Sequence, residues 1–158
     1  MILEIYHGSN IIVEKPVIMP YFRTLDFGNG FYATTIYKQA EEWANKKSER
    51  RGGQAVINKY ELAFEDLCVK NFTEINDEWA DFVILHRQSE TIVKHSFDVI
   101  IGEVADDRVY DSLQFYLDGV ITKEQFIERI KFKEENNQLC LATNAALNKL
   151  KFRGAEYI

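Results

Sequence analysis

The sequence predicts a single-domain α+β fold, and three observations lead there. Its 158 residues suit one core, since chains split into several only well beyond about 200 residues. Hydrophobic residues make up 46% of the chain and charged residues 28%, which is apolar surface enough to offset the ordering entropy of folding. Stretches with the period of strands are mixed with stretches of helical spacing, without the regular alternation that builds a doubly wound parallel sheet.

The elements follow in order. Ile2 to His7 alternates apolar and other residues and runs into Gly8-Ser9-Asn10, so a strand is expected with His7 at its C-terminal edge. Residues 15–30 hold Pro16, Pro20, Gly28 and Gly30, the mark of a long loop of the kind that carries function. Phe31 to Thr34 is a short strand, and Thr35 is placed to cap a helix on which Ile36, Tyr37, Ala40, Trp43 and Ala44 recur. Gly52-Gly53 turns into a strand over Gln54 to Ala63, followed by an extended Leu67-Cys68-Val69. Ile75, Trp79, Phe82, Val83 and His86 stripe a second helix. Phe97 to Gly102 reads as a buried strand that opens into the polar segment Glu103 to Arg108. Thr122 to Gln125 has capping-box spacing ahead of Phe126, Ile127 and Ile130. Gln138 to Ala142 is then a strand, Thr143 to Lys151 a short helix and Ala155 to Ile158 a last strand.

The formal charge of -6 argues against a broad electrostatic grip on a polyanion, which needs many Lys and Arg contacts to phosphate. The run Lys46-Lys47-Ser48-Glu49-Arg50-Arg51 is the best local basic patch, and its plain reading is a solvated helix end. Cys68 and Cys140 sit in apolar stretches and are expected as reduced core residues. No stretch reaches the roughly 20 apolar residues of a membrane span, and Ile2-Leu3-Glu4-Ile5-Tyr6 has no basic lead, so the expectation is a cytoplasmic protein without membrane contact. His86 and His95 lack ligand spacing and are assigned to helix packing and a surface loop, with no metal expected.

Three segments carry the chemistry: Tyr6-His7-Gly8-Ser9, Asp26-Phe27-Gly28-Asn29-Gly30-Phe31-Tyr32-Ala33-Thr34, and Asn137-Gln138-Leu139-Cys140-Leu141. Their order resembles the ADP-ribosyltransferase superfamily, in the His-Tyr-Glu branch shared by diphtheria-type toxins and poly(ADP-ribose) polymerases. Within it the chain is most similar to a bacterial family of unknown function, DUF3990, through Asp-Phe-Gly-x-Gly-Phe-Tyr, Gln39-Ala40 with Trp43-Ala44, and Asp106 to Tyr110. The resemblance spans nearly the whole chain and implies a split β-sheet with packed helices.

It also implies NAD as co-substrate. His7 would hydrogen-bond a ribose hydroxyl, the Gly8 backbone would meet the nicotinamide carboxamide, and Tyr32 would stack on the nicotinamide ring. These roles suit an imidazole that both donates and accepts, a residue without a side chain, and a phenol ring. Ser9, Asp26, Asn29 and Phe31 are expected around the dinucleotide, with Arg23 the nearest cation for its pyrophosphate. The reaction is cleavage of the N-glycosidic bond to nicotinamide through an oxocarbenium-like ribose. The family pattern has a glutamate at the start of the third strand, where this chain has Gln138. His7, Tyr32 and Gln138 form the expected working set of a mono-ADP-ribosyltransferase acting on a macromolecule. The negative charge tilts that acceptor from nucleic acid towards protein. A toxin of a toxin-antitoxin pair, with an antitoxin as partner, is what the family neighbourhood suggests. Replacing a carboxylate by an amide weakens stabilisation of the developing charge, so an NAD-binding module without turnover is the competing reading, and a plain structural domain the third.

Overall fold

A computed structural model describes residues 1–158. In chain order the elements are β1 (Ile2–Ser9), β2 (Phe31–Ala33), α1 (Tyr37–Arg51), β3 (Val56–Ala63), β4 (Val69–Asn71) and α2 (Asp77–Gln88). They continue with β5 (Val99–Gly102), α3 (Val109–Leu117), α4 (Lys123–Ile130), β6 (Gln138–Leu141), α5 (Asn144–Leu147) and β7 (Leu150–Tyr157). The strands form two sheets, β1-β3-β7 and β2-β6-β5-β4. Every pairing is antiparallel except β4 with β5.

The sheets face each other across Ile5, Phe31, Tyr60, Leu62, Leu139 and Leu141, all buried. Strand alternation sends Ile100 and Cys140 to the opposite face of the second sheet. There they join Phe27, Trp79 and Val83, with Leu113, Phe126 and Ile130 from α3 and α4. The second sheet is therefore covered on both faces, which accounts for the fully buried β6. The two sheets meet edge to edge at one pair: Tyr6 N donates to Thr34 O at 2.8 Å and Thr34 N to Tyr6 O at 2.9 Å. Beyond it β1 and β2 diverge, and a cleft opens between them.

Several boundaries differ from the sequence reading for local reasons. β1 continues through Ser9, which pairs with Val56. Thr35 does not cap α1: its amide goes to Asn137 Oδ1, and Thr34 Oγ1 accepts from Ile36 N instead. Helix α3 was absent from the sequence reading, since Arg108 at its start offers no side-chain cap. Helix α5 is a single turn capped by Thr143, and β7 begins at Leu150, where a helix was expected. Cys140 is buried but Cys68 is exposed, against the expectation of two core thiols. The capping box of Thr122 and Gln125 is present as read. No helix is long and apolar enough to cross a membrane.

Candidate active site

The site begins where β1 passes under α1. Helix α1 turns its buried Ala40 and Ala44 onto Gly8, and a Cβ there would lie 2.0 Å from Ala40 O and 2.7 Å from Ala44 N. Gly8 is thus required by the helix backbone rather than by room for a ligand. Its main chain still has a free edge. In an antiparallel pair, successive residues direct their polar groups to opposite sides. Tyr6 gives its amide and carbonyl to Thr34, so those of Gly8 point to the same side, past the end of the bridge.

His7 packs on Phe31, with ring centroids 4.4 Å apart, and its Nδ1 lies 2.6 Å from Tyr32 O. A carbonyl only accepts, so Nδ1 carries the proton and Nε2 is left as an acceptor. Burial, reinforced by the nearby Lys47 and Arg23 charges and only partly opposed by the Tyr32 carbonyl, pushes the imidazole down to about 4. The ring is neutral at pH 7.

Tyr32 is held by the loop that precedes it. Its hydroxyl donates to Gly28 O at 2.7 Å and accepts from Phe27 N at 3.1 Å. Gly28 adopts φ +82°, and a Cβ there would meet the His86 ring at 2.7 Å, so position and conformation both exclude a side chain. Burial raises the Tyr32 phenol well above its ordinary value. It is a fixed ring, not an acid. Asn29 organises the same loop, accepting from Arg23 N at 2.9 Å and donating to Tyr21 O at 2.8 Å.

Asp26 is the hub of the site. Only 3% exposed, it receives Arg87 Nε at 2.7 Å and Nη2 at 2.5 Å on Oδ1. Its Oδ2 accepts from Ala105 N and Gln138 Nε2, both at 2.9 Å. Gln138 Nε2 also donates to Glu103 O at 3.3 Å. Both neighbours are acceptors, which fixes the orientation of the amide and leaves Oε1 free. The start of β6 is clamped in place: Gln39 exchanges bonds of 2.6 and 3.1 Å with Asn137 O and N, and the Asn137 side chain bonds Thr34 and Thr35. His86 Nε2 is the one fully buried side-chain nitrogen or oxygen without a partner. Neither His7 Nε2 nor Gln138 Oε1 has a protein partner, so both open onto the cleft.

That cleft has a volume of about 980 Å³, within the range of ligand sites. His7, Ser9, Phe31, Tyr32 and Gln138 line it together, with Arg23 and Asp26. Gly8 and Asn29, both expected around the dinucleotide, are not among its lining residues. Lys46, Lys47 and Arg50 also line it, so the basic run is a cleft wall as well as a helix end. Asp106 and Arg108 pair with each other at 2.9 Å on the surface, and of that segment Asp107 reaches the cleft.

The model of a protein family of unknown function, DUF3990, matches residues 3–152, nearly the whole chain. The chain belongs to the DUF3990 family. No curated protein and no solved structure matches it. In this DUF3990 protein the sequence reading missed Arg87, the counter-charge of Asp26, and the Gln39–Asn137 clamp. Arg87 follows the buried face of α2 in sequence, where its partner sixty-one residues away leaves no local trace.

Proposed function

We propose that this protein is an NAD-dependent ADP-ribosyltransferase with the split-sheet architecture of that superfamily. The observation that carries the reading is the convergence of His7, Tyr32 and Gln138, distant in sequence, on one cleft. His7 Nε2 accepts from a ribose hydroxyl, and the locked Tyr32 ring stacks on nicotinamide. Ser9, Phe31 and Asp26 shape the surrounding wall. The N-glycosidic bond breaks with its electron pair leaving on nicotinamide. A nucleophile of the macromolecular acceptor then bonds the ribose carbon and loses its proton.

Gln138 supplies an oxygen where the family pattern has a carboxylate. Its amide donates to the Asp26 carboxylate, and such donation polarises the amide so that Oε1 becomes a better acceptor. Asp26 is thus a positioning residue that acts through Gln138. A neutral oxygen still stabilises an oxocarbenium less than a charged one. This favours a second reading, a module that binds NAD without turnover.

Incubating the protein with labelled NAD and bacterial lysate separates the two. Labelled macromolecule together with released nicotinamide supports the transferase, and Tyr32→Ala abolishes both. NAD binding in calorimetry without nicotinamide release supports the module. No NAD affinity at all removes both readings.

A further inference from the structure

Lys46, Lys47 and Arg50 stand three, four and seven residues after Trp43, so the four form one stripe of α1. That stripe lines the cleft beside Arg23. None of the four cations takes part in an ion pair, although the chain carries a net charge of -6. Glu14, Glu49 and Asp107 are the cleft's carboxylates other than Asp26, which Arg87 neutralises. Burial, with the charges of Arg51, Arg23 and Arg50, holds the Lys47 ammonium below its ordinary value. A cluster of cations without ion-pair partners along the wall of a concave site attracts a compact polyanion.

We propose that Lys46, Lys47, Arg50 and Arg23 form a subsite for a diphosphate linked to a nucleoside, next to the His7 and Tyr32 end of the cleft. The proposal deepens the NAD reading and rests on it for the assignment of that other end alone. Lysine ammonium groups suit phosphate as point charges, and arginine adds a planar fork. The cluster also gives the basic run a purpose that a solvated helix end would not have.

Calorimetry on the full chain with ADP and adenosine tests this without any variant. ADP is expected to bind at least about tenfold more tightly than adenosine, since one charge-assisted bond accounts for that much. Its affinity should fall as salt rises, because partly exposed charges are screened. K46Q/K47Q, checked for folding by circular dichroism, should weaken ADP by about tenfold or more. Arg50→Gln, an exposed position, gives the same reading at lower risk to the fold. Equal affinity for ADP and adenosine, or unchanged ADP affinity in the folded variants, overturns the subsite. A single-stranded oligonucleotide preferred over ADP overturns it too, since the wall would then serve a polynucleotide. NAD turnover untouched in K46Q/K47Q leaves the transferase standing and removes the subsite. ADP binding with no gain from the nicotinamide half does the reverse.

Discussion

At the scale of single residues, Asp26 explains why position 138 holds an amide. A glutamate there would set a second carboxylate against Asp26 Oδ2 and the Glu103 carbonyl, both now served by Gln138 Nε2. Gln138→Glu is therefore expected to lower stability by about 1–3 kcal/mol in urea unfolding, and to leave NAD turnover no faster. A faster, equally stable variant would contradict this account. Asp26→Asn leaves Arg87 largely buried without its charge partner, and breaking such a pair costs about 3–5 kcal/mol. Adding Arg87→Met should recover part of that loss. His7 gives a pH signature. Held at about 4 in the fold against about 6.5 unfolded, it stays neutral while the unfolded chain takes up a proton. Its contribution is full above about pH 6.5 and is lost as pH falls to about 4, a difference of about 3 kcal/mol. His86 and His95, also lowered by burial, act in the same direction, so the measurement is the difference between wild type and His7→Gln at pH 7 and pH 4.5. Equal acid sensitivity in the two proteins would show that His7 does not titrate this way.

At the scale of elements, the junction of α1 with β1 decides the shape of the cleft. Gly8→Ala places a methyl group against the backbone of Ala40 and Ala44, which cannot give way as a side chain can. Loss of several kcal/mol is expected, read as a lower denaturant midpoint; a change under about 0.5 kcal/mol would mean that α1 shifts freely. This glycine was legible as a special position, but its reason was not, because the crossing helix lies some thirty residues on. Elements with strong local signals, such as α2 with its apolar stripe and α4 with its box, were readable from spacing. Helix α3 has no such cap, although Val109 and Leu113 keep helical spacing on its buried side. Cys68 shows the limit of reading burial from apolar neighbours: it precedes the edge strand β4 and faces out. A thiol reagent on the native protein should label Cys68 and spare Cys140, whose thiol burial pushes up to about 12. Two adducts without unfolding would place Cys140 at the surface.

At the scale of the whole molecule, two sheets meet at the Tyr6–Thr34 bridge and separate around a cleft built from both. Mixed elements without regular alternation were enough to read an α+β domain. The division into two sheets was out of reach of periodicity, because β5, and β6 after Gln138, run without polar alternation and do not mark which neighbour they pair with. The site was legible as three segments in order, while the charge that ties them together, Asp26 to Arg87 and Gln138, depends on contacts sixty-one and 112 residues apart. A ligand that touches β1, β2, β6 and α1 at once can stabilise the fold only as a unit. Saturation at about one hundred times the dissociation constant adds about 2.7 kcal/mol. For a domain of this size that raises the melting temperature by about 5–11 °C. Scanning calorimetry with a nucleoside diphosphate or NAD should therefore show one transition moving up by that amount. A transition that splits, with one part unmoved, would mean that the ligand engages a single sheet and that the cleft is not the shared site described above.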